Sequence, residues 1–222
     1  MAELFIELFS EEIPSKLQIN AREKIKQAIE EKLNKREIKF NSSRSFSTPQ
    51  RLVFVIDGIS EKIIQKQKVI KGPKTGAPQA AIDGFIKSNN LNKSDIYKKN
   101  IEKGEFYFAK TKLKVVNILE ELKSIIPETL RDYSWKKSMK WSNHDLSWGR
   151  PLKSIIALLD NKVINFNFFH LQSSNLTSID ETDENKQKKV SNFKSYLSLL
   201  KSKNIILDQE QRRKIIVKKM NN

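Results

Sequence analysis

Met1-Ala-Glu-Leu-Phe-Ile-Glu-Leu-Phe-Ser-Glu-Glu-Ile-Pro14 opens the chain and decides how its fold begins. From Glu3 to Phe9 the side chains alternate, with Leu4, Ile6 and Leu8 on one side and Phe5, Glu7 and Phe9 on the other, which is strand periodicity. Ser10 is placed to cap a helix whose first turn holds Glu11 and Glu12, where the helix dipole favours negative charge. A packed domain therefore starts at Glu3.

Working outward, Leu17, Ala21, Ile25, Ala28, Ile29 and Leu33 recur at helical spacing and predict a helix over Ser15 to Lys35. Ser45 to Pro49 and Leu52 to Ile59 read as extended, interrupted at Thr48-Pro49 because proline has no N–H to donate. A third strand, about Glu61 to Lys71, is expected to close a meander and to stop at Gly72-Pro73. Gly72 to Pro78 is the clearest turn cluster. A helix over Gln79 to Ser88 turns Ala81, Phe85 and Ile82 inward. A lysine-rich connector, a strand over Phe106 to Leu113 and a helix over Val116 to Tyr133 follow. Trp135 to Pro151 reads as an aromatic loop, and Leu152 to Leu159 with Val163 to Phe169 as a hairpin around Asp160-Asn161. Ser173 to Lys189 is polar enough for a linker or flexible loop, and Ser191 to Lys203 and Gln209 to Met220 form a closing helical pair.

This order predicts an α+β class with mixed or antiparallel sheets and packed helices: two small α/β subdomains and a helical, basic C-terminal segment. The expected divisions are an α+β domain over 1–114, a helix, aromatic loop and hairpin over 115–172, a linker over 173–190 and a basic helical segment over 191–222.

At 222 residues and 38% hydrophobic content the chain can bury a sizeable core. It contains no run of about 18 apolar residues, so no membrane span is expected. The start lacks a basic region leading into an apolar one, so a secretory signal is not expected either. With no cysteine, disulfides, thiolate zinc sites and cysteine nucleophiles are excluded, which fits a cytoplasmic setting. The net charge of +16 points to a polyanionic partner. The bland reading stands beside it: lysine, asparagine and isoleucine enrichment is what AT-rich coding imposes on any surface, and lysine is a point charge rather than a bidentate reader of bases. From Asn185 to Asn222 eleven basic residues face two acidic ones, so that stretch is the most basic part.

Gly72-Pro73-Lys74-Thr75-Gly76 imitates a phosphate loop but lacks the glycine before lysine and the row of N–H donors that such a loop needs. His144-Asp145 imitates a metal phosphohydrolase dipeptide, yet the sequence holds only one further histidine, His170. Nothing supports a Ser-His-Asp arrangement. Trp135, Lys136, Lys137, Lys140, Trp141, Trp148 and Arg150 interleave aromatics with cations, a combination able to stack bases and hold phosphates. The same tryptophans also suit packing, since each buries a large apolar area.

Several of these pieces, in order, resemble the β subunit of bacterial tetrameric glycyl-tRNA synthetases. Phe5-Ile6-Glu7-Leu8 running into Ser10-Glu11-Glu12-Ile13-Pro14 is similar to that family's opening strand and Glu-Glu-(Leu/Ile)-Pro turn. Thr48-Pro49-Gln50-Arg51-Leu52 resembles its Thr-Pro-Arg-Arg-Leu, with Gln50 in place of one arginine. Lys71-Gly72-Pro73 with Ala80-Ala81-Ile82-Asp83-Gly84-Phe85, Lys103-Gly104-Glu105, Met139-Lys140-Trp141 and Gly149-Arg150-Pro151-Leu152 follow in the expected order. Asn204-Ile205-Ile206-Leu207-Asp208 ahead of Arg212-Arg213-Lys214-Ile215 completes the set.

The resemblance implies the N-terminal part of one subunit of a class II aminoacyl-tRNA synthetase, a cytoplasmic α2β2 glycine–tRNA ligase. The α subunit would carry ATP- and Mg-dependent glycine activation. The β subunit would support tRNA(Gly) binding and α-subunit assembly, with no catalytic residue, metal or cofactor held by this chain. In agreement, no glycine-rich strand here ends in Glu-Arg. The cations within the matching motifs, Arg51, Lys71, Lys74, Lys140 and Arg150, become candidate tRNA phosphate contacts. Arg51 and Arg150, near prolines, have a second reading as donors to loop carbonyls. Family chains are much longer, with an HD-like domain and an anticodon-binding tail, so the sequence reads as a fragment, a split product or a truncated copy. Ser178-Ile179-Asp180-Glu181 replaces the family's Gly-His-Arg-Phe, which motivates a competing reading: a free-standing RNA-binding module or an inert remnant. The acidic Glu7, Glu11 and Glu12 would repel phosphate, so the opening turn is expected to shape the fold or meet a protein partner.

Overall fold

The computed structural model describes residues 1–60, 62–65, 69–110, 114–179 and 187–221. In chain order its elements are β1 (Ala2–Ser10), α1 (Ser15–Lys35), β2 (Ser42–Thr48), β3 (Arg51–Ile59), β4 (Lys62–Gln65), β5 (Val69–Lys74) and α2 (Gln79–Ser88). After a 3-10 turn come β6 (Ile96–Ile101), β7 (Gly104–Lys110), β8 (Lys114–Asn117), α3 (Ile118–Asp132), β9 (Leu152–Leu159), β10 (Lys162–Val163), β11 (Asn167–Phe168) and β12 (Leu171–Ser174). The chain continues through β13 (Leu176–Ser178), β14 (Gln187–Lys189), α4 (Phe193–Ser202) and α5 (Gln209–Met220). The class is α+β, as expected. Residues 1–61 with 117–222 form one compact unit and residues 62–116 form a second. These units cut across the divisions expected at 114, 172 and 190.

The first unit is built on a seven-stranded sheet in the order β11-β12-β9-β1-β3-β2, with β10 pairing to β9. The opening strand lies at its centre, antiparallel to both neighbours, with Glu7 opposite Val53 on β3 and Ile156 on β9. Its alternation does not separate a wet face from a dry one, because every residue from Leu4 to Ser10 is buried. On one side Phe5, Val53, Val55, Ile156 and Leu158 pack against Phe193, Tyr196 and Leu200 of α4 and against Leu207. Ala21, Ile25, Ile29 and Leu33 form the buried stripe of α1, which packs on β2, β3 and α3. Each such large apolar side chain contributes about 1.5–3 kcal/mol relative to exposure. Among the described residues, no helix is long and apolar enough to cross a membrane.

Three expectations for this unit are corrected. Ser10 does not cap a helix: it ends β1, and α1 begins at Ser15 behind Pro14 with no acidic residue in its first turn. The N–H groups that a helix start would leave free are taken by neighbouring loops, with Ser10 N 2.9 Å from Gln50 O, Glu11 N 3.0 Å from Pro151 O and Ile13 N 2.7 Å from Pro49 O. Val163 to Phe169 is not one hairpin arm. Lys162–Val163 returns along β9, with Ile164 N still 2.9 Å from Ala157 O, and Asn167–Phe168 pairs instead with β12, the strand that joins β9 in parallel. The polar stretch from Ser173 is not a linker in its described parts. Ser173 and Thr177 are buried, and the Ser173 hydroxyl bonds to Phe166 N at 2.9 Å and Ile164 O at 2.7 Å. Serine hydroxyls can replace apolar packing when backbone partners lie beside them.

The second unit contains the antiparallel sheet β5-β7-β6, with α2 against β5, and the pair β4-β8. The expected third meander strand therefore belongs to a different sheet, and it runs through Gly72-Pro73 to Lys74. The lysine-rich connector contains β6, hidden from pattern reading because its residues are mostly exposed. On α2, Ile82 is buried and Phe85 half-buried, whereas Ala81 is exposed. The parts of these readings that fall on residues 61, 66–68, 111–113 and 180–186 lie outside the described residues.

Candidate nucleic-acid interface

The backbone bonds from residues 10–13 to Pro49, Gln50 and Pro151 bring three separated motifs together: the opening turn, the Thr-Pro-Gln-Arg-Leu segment and the Gly-Arg-Pro-Leu segment. Under this junction lies a buried ionic cluster. Glu7 Oε1 sits 3.2 Å from Arg51 Nε, accepts from Tyr196 Oη at 2.5 Å and from Thr177 Oγ1 at 3.0 Å. The Arg51 guanidinium also lies 4.7 Å over the Phe9 ring and donates to Ser178 O. Burial pushes the Glu7 carboxyl up from its ordinary range, against the pull of Arg51, Tyr196 and Thr177. Burial and the Glu7 charge hold the Tyr196 phenol well above its usual value.

This settles where Arg51 works. Its side chain is 2% exposed and its donors point inward, so it has no surface to offer a phosphate. The carbonyl-donor reading describes it. The other four candidates reach solvent. Lys140 is exposed in the aromatic loop, and Arg150 is half-buried with its Nη1 donating to Gly149 O at 2.9 Å. Lys71 and Lys74 belong to the second unit, with their ammonium nitrogens 3.6 and 5.7 Å from the centre of the Phe106 ring. The turn after Lys74 is no phosphate cradle, because Thr75 N is bonded to Glu105 O and Ala77 N to Lys74 O.

The aromatic loop divides by role. Trp135 and Trp148 are buried, edge to face at 5.2 Å, with Tyr133 and Phe168 completing the packing. Gly149 is required there, since a Cβ would overlap the Trp135 ring. Trp141 is only half-buried and meets His170 edge-on at 5.8 Å. His170 in turn stacks on His144 with centroids 3.6 Å apart and planes at 5°. Partial desolvation, then the proximity of His144, shifts the His170 pKa down from its ordinary value. Among the described residues no third ligand joins the histidines to make a metal set. Beside them is a cavity of about 330 Å³ whose wall includes Trp141, His170, Lys153, Glu11, Ser154 and Leu171. Sequence reasoning missed the histidine pair because β9 to β12 must fold before the two residues meet.

A family model described as "Glycyl-tRNA synthetase beta subunit" matches residues 4–222. The chain is 36% identical over 216 residues to the "Glycine--tRNA ligase beta subunit" of Rickettsia bellii (strain OSU 85-389), which covers 97% of this chain and 33% of that protein. It is likewise 36% identical to the protein of the same description in Rickettsia typhi, over 97% of this chain and 32% of the relative. The Rickettsia conorii protein is 35% identical over the same shares. The chain thus spans about a third of the length of the curated relatives it matches.

Proposed function

The chain belongs to the glycyl-tRNA synthetase β-subunit family, and from that premise we propose that it supports tRNA(Gly) binding and α-subunit assembly in a glycine–tRNA ligase. In this reading it is the N-terminal region of the β subunit of a cytoplasmic, class II α2β2 enzyme. ATP- and Mg-dependent activation of glycine belongs to the α subunit, and this chain contributes no catalytic residue. The observation that carries the RNA-binding half is the net charge of +16 together with solvent-reaching cations at Lys71, Lys74, Lys140 and Arg150. Cations of this kind bind the phosphate backbone and release its counterions, which gives affinity without reading sequence. The acidic opening turn suits a protein contact better, since Glu11 and Glu12 are exposed and would repel phosphate.

Titration of tRNA(Gly) at a series of salt concentrations tests the first half. Log affinity is expected to fall linearly with log salt, and Lys71→Ala, Lys74→Ala, Lys140→Ala and Arg150→Ala each to flatten that slope by about 1. Salt-independent binding, or four variants with the parent slope, sinks the phosphate assignment. Co-purification with a cognate α subunit tests the second half, and failure to associate removes the assembly role.

A further inference from the structure

The strands of the second unit carry a surface that the assigned phosphate contacts do not exhaust. Across the sheet Lys71 faces Phe108, Lys74 faces Phe106 and Val69 faces Lys110, while on the other side Tyr97 faces Phe108 and Lys99 faces Phe106. Directly opposed residues project to the same side of a sheet, so these three aromatics and four lysines share one face. In an unbroken strand Lys71 and Lys74 would point to opposite faces. The register shift between them, at Gly72-Pro73, brings both onto the Phe106 ring. Gly72 also lets the Phe85 ring of α2 lie against the strand, where a Cβ would overlap it.

The other face already provides this sheet with its core: Ile70 and Ile96 oppose Ala109, which is fully buried. A second, outward face is expected to be polar. Here it holds Tyr97, 39% exposed, stacked on Phe108 at 6.2 Å, with Phe106 and Phe108 half-buried. The ammonium of Lys99 lies 5.9 Å over the Phe108 ring. No aspartate or glutamate stands at these opposed positions. Aromatic rings beside unopposed cations suit a ligand with flat π faces and regularly spaced negative charge.

We infer that this face is a stacking surface for single-stranded RNA, with Phe106, Phe108 and Tyr97 receiving bases and Lys71, Lys74, Lys99 and Lys110 the phosphates. In the free chain three of the four ammonium groups rest over rings that bases would take. Binding exchanges each cation–π contact for a base stack and releases the lysine to a neighbouring phosphate. A duplex, whose bases are already stacked on each other, offers no such exchange. The inference deepens the RNA-binding reading above and rests on it.

The whole chain is titrated with a single-stranded oligouridylate, an RNA duplex of equal length, polyglutamate and tRNA(Gly). The single strand is expected to bind more tightly than the duplex. Tyr97→Ser, at an exposed side chain, and Phe108→Leu, which keeps apolar packing, are each expected to weaken it about tenfold. Lys99→Ala is expected to lower the salt slope by about 1. Near-ultraviolet circular dichroism checks that each variant keeps its packing. Equal affinity for duplex and single strand, parent-like affinity in both aromatic variants, or equally tight binding of polyglutamate overturns the inference. If tRNA(Gly) binds with salt dependence but oligouridylate does not, the sheet face is wrong and the tRNA role stands. If oligouridylate binds with the expected signature while tRNA(Gly) and the α subunit do not, the face stands and the synthetase role falls.

Discussion

At the scale of single residues, Arg51 shows how a cation in a basic protein can serve only the interior. A buried ion pair stabilises little by itself, but removing one partner leaves an uncompensated charge. Arg51→Ala is therefore expected to cost about 3–5 kcal/mol in urea unfolding. Adding Glu7→Ala to it should cost less than the sum of the two single changes, because the orphaned carboxylate goes too. Strict additivity would mean that the pair is not coupled. His170 gives a pH prediction. Its folded-state pKa lies below the ordinary 6.5, so the unfolded chain binds the proton more readily. Its contribution is complete above that value and is lost as pH falls through the depressed one. Urea midpoints at about pH 7.5 and about pH 5.5 should differ less in His170→Gln than in the parent, with the parent weaker at the lower pH.

At the scale of elements, the helices after β14 are held by specific polar contacts as much as by apolar stripes. Asn192 caps α4 by accepting from Ser195 N at 2.8 Å, while the Ser195 hydroxyl accepts from Asn192 N at 3.1 Å. Asn192→Ala is expected to cost about 1 kcal/mol, read from thermal unfolding. No residue of α5 is buried, and its Arg212 donates to Ile206 O, Leu207 O and Ser47 O at 2.6, 2.8 and 2.6 Å. One arginine of the most basic stretch thus docks its helix onto β2 rather than facing a ligand. Arg212→Ala should speed amide exchange in α5 while leaving β1 protected; unchanged exchange in α5 would show that Arg212 does not anchor it. In the aromatic loop, Gly149→Ala is expected to destabilise by about 1–3 kcal/mol through overlap with Trp135, and a parent-like melting temperature would argue against that packing.

At the scale of the whole molecule, each compact unit carries its own apolar interior, one around Phe5 and Ile156 and the other around Ala109. Arg51→Ala is accordingly expected to raise amide exchange in β1 and β3 while leaving β7 at its parent rate; parallel acceleration in both would contradict separate stability. The sequence by itself determined the helices α1, α3 and α4 and the central strand, because helical stripes and strand alternation are local patterns whose spacing survives any tertiary arrangement. Ordered short motifs also carried the family. Sequence reading missed β6, whose exposed lysines write no apolar pattern, and misread Ser173 and Thr177, whose hydroxyls find their partners only once the chain has turned back on Ile164 and Phe166 and β13 has reached Glu7 of β1. It left Arg51 with two readings, phosphate contact and carbonyl donor, since a cation inside a matching motif near a proline suits both. Only the tertiary structure decided that Arg51 is sealed against Glu7 and that a shift at Gly72-Pro73 turns Lys71 and Lys74 to one side. Burial, strand register and cross-strand partnership belong to pairs of residues rather than to any one of them, so they exist only once the chain has folded.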